Sequence, residues 1–94
     1  MHHDAIVTLR GELDEMSRGE IARQFAGLER CHHVLIDLSE AECVHSGLLS
    51  ELVQLKRRCV VRDAPPVIEL RCNRSVARLM QVVGIDRLFE MNCA

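Results

Sequence analysis

Residues 34–55, VLIDLSEAECVHSGLLSELVQL, carry an apolar strand straight through a polar turn into an amphipathic helix. Four of the five residues Val34-Leu35-Ile36-Asp37-Leu38 are apolar, the pattern of a central strand covered on both faces. From Ser46 the periodicity changes. Leu48, Leu49, Leu52, Val53, Leu55, Cys59 and Val60 mark one helical face, and Glu51, Gln54, Arg57 and Arg58 fall mainly on the other. A strand that feeds directly into a helix is half of a βαβ unit, and function is expected at the junction. The first turn of a helix offers unpaired amides and a partial positive charge. Ser46 can cap those amides, and Gly47 lets another backbone or a phosphate approach closely.

The rest of the chain repeats this alternation. Ala5 to Leu13 reads as a first strand ending at Gly11, and Ser17-Arg18-Gly19-Glu20 matches a capping box opening a helix to about Glu29, with Ile21, Phe25 and Leu28 inward. Asp63-Ala64-Pro65-Pro66 stops the second helix, because proline has no N–H and biases its predecessor away from the α region. Val67 to Cys72 is a third strand, and Asn73 turns the chain. Ser75 to Val83 is a third helix with Val76, Leu79, Met80 and Val83 inward, and Gly84 suits a left-handed cap. Ile85 to Met91 returns as a short edge strand.

The order β-α-β-α-β-α-β predicts an α/β fold with a mostly parallel four-stranded sheet and helices packed against it. Ninety-four residues predict one domain, 1–94. Ligands and partners of such sheets meet the loops beyond the carboxyl ends of the strands, here residues 39–46 and 72–75.

Composition narrows the function classes. Phe25 and Phe89 are the only aromatic residues among Phe, Trp and Tyr, so stacking on bases or sugars has little to work with. The net charge of −2 makes nucleic acid an unexpected partner despite the basic groups Lys56, Arg57, Arg58 and Arg62, and Arg74, Arg78 and Arg87. No apolar run approaches the roughly 20 residues a membrane span needs, and the N-terminus lacks the order of a signal peptide. The expected location is cytoplasmic, with no direct insertion into a membrane.

His2, His3, His32 and His33 are adjacent pairs, and neighbours on a strand point to opposite faces, so no metal site and no cofactor is expected. The five cysteines, 31, 43, 59, 72 and 93, are odd in number and form no CxxC pair, which fits buried thiols in a reducing compartment. Cys43 and Cys72 are expected to end the second and third strands on neighbouring loops, which makes them a candidate redox pair if their Cα atoms come within about 7 Å. No catalytic set is evident. Adjacent residues such as His45 and Ser46 rarely place a base in line with a nucleophile, Asp37 has no acid–base partner, and no Gly-rich phosphate loop is present, so an enzyme is not expected.

Four elements in order resemble the STAS domain, the fold of bacterial anti-sigma-factor antagonists, over nearly the whole chain. Leu9-Arg10-Gly11-Glu12-Leu13-Asp14 resembles the family's opening GELD element, and His33 to Ser39 its hhhDLS strand. Val44-His45-Ser46-Gly47-Leu48 occupies the place of its DSSGL loop, and Ser75 to Leu88 is similar to its terminal helix and strand. The resemblance implies a non-enzymatic protein-interaction module that docks on a serine-kinase-type anti-sigma factor to regulate transcription. It also implies that phosphorylation of the first serine of DSSGL ends that interaction. STAS subunits of ABC lipid transporters, which brace the ATPase from the cytosolic side and need no phosphorylation, are the alternative.

Aligning Ser46-Gly47-Leu48 on the motif puts Val44 on its aspartate and His45 on its phospho-acceptor. Three readings stay open: constitutive partner binding, Ser46 as the acceptor, or a special role for His45 as a modified residue or pH-sensitive contact. Many relatives carry an extra N-terminal strand ahead of GELD, so an exposed sheet edge is expected here, open to pairing, and self-association of the chain stays open with it.

Overall fold

The computed structural model describes residues 3–93. Strands β1 (Ala5–Thr8), β3 (His33–Leu38), β5 (Val67–Cys72) and β6 (Glu90–Cys93) form a four-stranded sheet in the order β1-β3-β5-β6, every pair parallel. Three helices, α1 (Arg18–Phe25), α2 (Ser46–Val60) and α3 (Arg74–Val83), provide the crossovers. The mixed α/β architecture and its parallel sheet are those the alternation predicts.

Two short strands were not foreseen. The first strand, expected to end at Gly11 in a turn, stops at Thr8, and Gly11 instead opens β2 (Gly11–Leu13), which pairs in parallel with β4 (Ala41–Val44) in a separate two-stranded sheet. The break falls at the same level on both chains. Leu9 N still donates to Asp37 O at 3.0 Å, and Gly11 N donates to Glu40 O at 3.1 Å. Gly11 takes φ +72°, and the register shifts between Gly11 and Glu12. A left-handed residue costs glycine nothing, so the kink sits there.

Among the described residues, the sheet is covered by helices on one face only. Val34, Ile36 and Leu38 of β3, Ile68, Leu70 and Cys72 of β5 and Val7 of β1 join the buried helical residues Ile21, Phe25, Leu48, Leu52, Leu55, Val76 and Met80 in one hydrophobic cluster. The alternate positions face the other way: Ile6 is 62% exposed and Val67 41%, and His33, Asp37 and Glu69 are half-buried. The expectation that β3 is covered on both faces is therefore corrected. Leu35, buried at 9% yet outside the core cluster, made a one-sided strand read as a two-sided one.

Helix ends account for the other departures. Helix α1 stops at Phe25 rather than near Glu29, and Gly27 at φ +83° turns the chain into a 3-10 turn, Leu28–Arg30, that still buries Leu28. Val60 and Val83, expected inward, are the final residues of their helices and are 62% and 47% exposed. Gly84 caps α3 at φ +84° as expected, but the chain then makes a 3-10 turn, Ile85–Arg87, so the last strand begins only at Glu90. That turn puts Ile85 and Phe89 into the core. Among the described residues, no helix is long and apolar enough to cross a membrane.

Candidate functional site

The two-stranded sheet carries the chain to the junction singled out by the sequence. After Val44, His45 N donates to Leu13 O at 3.1 Å, so the ladder runs on to the mouth of α2. On the β2 side the chain turns at Asp14 into a 3-10 turn, Glu15–Ser17, whose N-terminus Asp14 caps by accepting from Ser17 N at 3.2 Å. Two turns therefore lie side by side, Asp14–Ser17 and His45–Gly47.

The cap of α2 is His45, in extended conformation (φ −110°, ψ 174°), and its side chain makes no capping bond. Ser46, expected to cap, is instead the first helical residue, and its Oγ donates to Glu15 Oε1 at 2.8 Å. The hydroxyl thus fastens α2 to the neighbouring turn. The expected capping box at Ser17 is replaced in the same way. Ser17 Oγ donates to Asp14 Oδ1 at 3.2 Å, and Glu20 engages Arg23 and Gln24 on its own helix. Ser17 is still the N-cap residue of α1, but Asp14 accepts both its amide, which Glu20 would take in a capping box, and its hydroxyl, so neither half of the box forms.

Gly47 is buried, and a Cβ added there would lie 3.4 Å from Glu15 Oε1, 3.5 Å from Arg18 Cβ and 3.6 Å from Asp14 O. These are ordinary contact distances, so Gly47 packs against the Asp14–Arg18 segment with room for a Cβ. Arg18 Nε also donates to Glu51 Oε2 at 3.0 Å, tying α1 to α2 one turn further along.

The five loop residues divide sharply. Leu48 is fully buried in the core, Gly47 is buried, and Val44 is half-buried against the core. His45 and Ser46 are exposed. Around them Glu42 and Cys43 of β4 and Glu15 are exposed, and Met16 is 94% exposed. An apolar side chain that bare next to the loop went unnoticed in the sequence, because it breaks no periodicity.

The second loop, at Asn73, is a junction of three elements. Its Oδ1 accepts from Val76 N at 2.9 Å and caps α3, and its Nδ2 donates to Ser39 O at 3.2 Å and Ala41 O at 2.8 Å. One side chain fixes the β3–β4 turn against the β5–α3 turn. Asp37 braces the same turn by accepting from Ser39 N at 2.9 Å. Burial alone would push the Asp37 carboxyl up, but the Ser39 hydrogen bonds and the charges of Arg71 and Arg10 outweigh it and hold the group below its ordinary value.

Cys43 and Cys72 share this end of the sheet in different settings. Cys43 is exposed and Cys72 buried, both as free thiols. Burial, then Cys93 and Asp37, push the Cys72 thiol up to about 11. The expectation of buried thiols holds for Cys59 and Cys72 and is corrected for Cys43 and Cys93, which are exposed. The basic residues are drawn partly into structure: Arg58 donates to Glu29 Oε1 and Phe25 O, each at 3.1 Å, and Lys56 Nζ lies 5.9 Å from the centroid of the Phe89 ring.

The histidines behave in part as the strand argument requires. His32 is exposed and lies 3.6 Å from an Asp4 oxygen, whereas His33 turns to the open sheet face, where it meets His3 from the start of the chain and Glu69 from β5. His2 lies outside the described residues.

A family model described as "Mlab, STAS domain" matches residues 2–90. No curated protein matches the chain.

Proposed function

The chain belongs to the STAS domain family, whose members are protein-interaction modules, and from that premise we propose that it is a non-enzymatic docking module resembling an anti-sigma-factor antagonist. The partner is a serine-kinase-type anti-sigma factor, and the contact is made by His45 and Ser46 with the exposed neighbours Glu15 and Met16. Val44, Gly47 and Leu48 set the shape of the loop from beneath.

The observation that carries this reading is the bond from Ser46 to Glu15. His45 stands where the family's acceptor serine stands, and the remaining hydroxyl is engaged with a carboxylate. A phosphate on Ser46 would place about two negative charges against Glu15. Helix α2 offsets part of that repulsion, and the neighbouring cation, Arg18, is already paired with Glu51. The interaction is therefore constitutive with respect to this loop. Neither Ser46 nor His45 is a regulatory switch in this reading.

A second reading is favoured by the same observation. A subunit that braces an ABC ATPase needs no acceptor, and a loop without a switch suits that task equally well. The experiment is to purify the complex from its host under native conditions and identify the proteins that accompany the chain. A kinase-like ATPase supports the first reading; an ABC ATPase with a permease supports the second and retires the first. In either complex, His45→Ala must weaken the partner's hold, and an unchanged affinity would remove the loop from the interface.

A further inference from the structure

The uncovered face of the sheet gathers three side chains that the docking loop does not use. His3 precedes β1, His33 opens β3 and Glu69 lies in mid-β5, so residues far apart in sequence meet on one face across three strands. Potential ligand atoms of all three lie within 4.8 Å of one another, and each side chain is half-buried. His3 Nε2 lies 3.3 Å from Glu69 Oε1, and the His3 and His33 rings meet edge to face with centroids 4.7 Å apart.

We propose that His3, His33 and Glu69 form a binding site for a divalent transition-metal ion, with zinc the best fit. Two imidazoles and one carboxylate are a donor set that zinc accepts, at about 2.0–2.2 Å from each atom. Tetrahedral ligands at that range stand about 3.4 Å apart. The His3–Glu69 spacing already matches. The widest separation, within 4.8 Å, is longer, so the half-buried side chains must turn toward one another to close on an ion.

Three further features fit a built site. Asn92 Nδ2 donates to Glu69 Oε2 at 2.8 Å, leaving Oε1 for the ion, the outer-shell support that orients metal-binding carboxylates. Asp4 accepts the backbone amides of His32 at 2.8 Å and His33 at 2.6 Å, which pins the start of β1 to the start of β3 and holds both histidines in place. The three residues also line, with Val67 and Glu90, a cavity of about 430 Å³. Glu90 is the register partner of Glu69, so a carboxylate or a water can complete the coordination from that side.

Bound there, the ion clamps three parallel strands across the open face. The chemistry that places it is local to residues 3, 33, 69 and 92, and it does not depend on the docking loop.

The test is calorimetric titration of zinc into the full chain, prepared without a histidine tag, alongside its melting temperature with and without the ion. Saturable one-to-one binding is expected, with a rise in melting temperature on adding zinc. Each of His33→Ala and Glu69→Gln should weaken binding by more than about tenfold, and Asn92→Ala by about tenfold. His32→Ala and Cys43→Ser should bind as the parent does, which separates this site from the exposed neighbouring imidazole and thiol. Circular dichroism of each variant checks that the fold is kept. Absence of saturable binding in the folded parent would overturn the proposal. So would binding that survives His33→Ala, or that disappears in Cys43→Ser.

Discussion

Ser46 Oγ donates to Glu15 Oε1 at 2.8 Å, a bond that joins the first residue of α2 to the turn after β2. Both residues are exposed, so the bond contributes little to global stability, on the order of 0.5 kcal/mol, but it decides what a negative charge at position 46 does. Ser46→Asp sets a carboxylate against Glu15, while the helix N-terminus favours it. In a Glu15→Gln background the repulsion is gone, and Ser46→Asp should be more favourable there by about 0.5–1 kcal/mol. Denaturant melts of the four proteins of this cycle measure the coupling, and additive effects would show that the two side chains do not interact in solution.

A methyl at Gly47 would make ordinary contacts with Glu15, Arg18 and the Asp14 carbonyl. Gly47→Ala should change stability by less than about 1 kcal/mol, since ordinary contacts and a gain in helix propensity oppose each other only weakly. Gly47→Val drives two more methyls toward Glu15, Arg18 and the Asp14 carbonyl and should cost about 1–3 kcal/mol. Equal midpoints for the two variants in urea would contradict this packing.

Asn73 serves a helix cap and two carbonyl groups at once. Asn73→Ala removes all three bonds and should cost about 2 kcal/mol, a fall of roughly 8–15 °C in melting temperature for a chain of this size. Asn73→Asp keeps the cap and loses the donors, so it should fall between the two. An Asp variant as unstable as Ala would mean that the cap contributes nothing.

Asp37 contributes a stability that depends on pH. Its carboxyl titrates below 3.8 in the folded state and near 3.8 in the unfolded one, so its contribution is complete above that value and is lost as the pH falls through the folded-state pKa. Asp37→Asn should flatten the loss of stability on acidification below about pH 4, measured by chemical denaturation at stepped pH. An unchanged acid limb would assign the acid sensitivity to other carboxylates.

The thiols should separate by reactivity. At neutral pH Cys43 should alkylate quickly in the native protein, whereas Cys72, buried and with its thiol pushed up to about 11, should label only on unfolding. Mass mapping after a short pulse of iodoacetamide reads this directly. A Cys43–Cys72 disulfide recovered under oxidising conditions would establish them as a redox pair.

The fold was legible because its strong signals are periodic. The Val34–Leu38 run, the Leu48–Leu55 face and Gly84 lie where the pattern predicts, and a parallel sheet follows from their alternation. What stayed hidden depends on contacts between distant residues. The split at Leu9–Arg10 is visible only once the Ser39–Glu40 turn lies beside it, and Ser46 loses its capping role only because Glu15 reaches it. The motif GELD could be read as a string, but its structural task, carrying Asp14 and Glu15 to the mouth of α2, is a property of the β2–β4 pairing. His33 looked like half of an unhelpful pair because its companions, His3 and Glu69, are about thirty or more positions away and share only a sheet face with it.

Every strand pair among the described residues is parallel, and that shapes the route by which the chain folds. No hairpin can serve as a seed: Ala5 must find Val34, His33 must find Val67, and even Glu69 and Glu90 are separated by a whole helix. Each ladder begins with the entropy of closing a long loop, which no local turn lowers. The helices and the apolar residues beneath them must therefore collapse before the sheet can zip, and this small chain should fold more slowly than a helical bundle of its size.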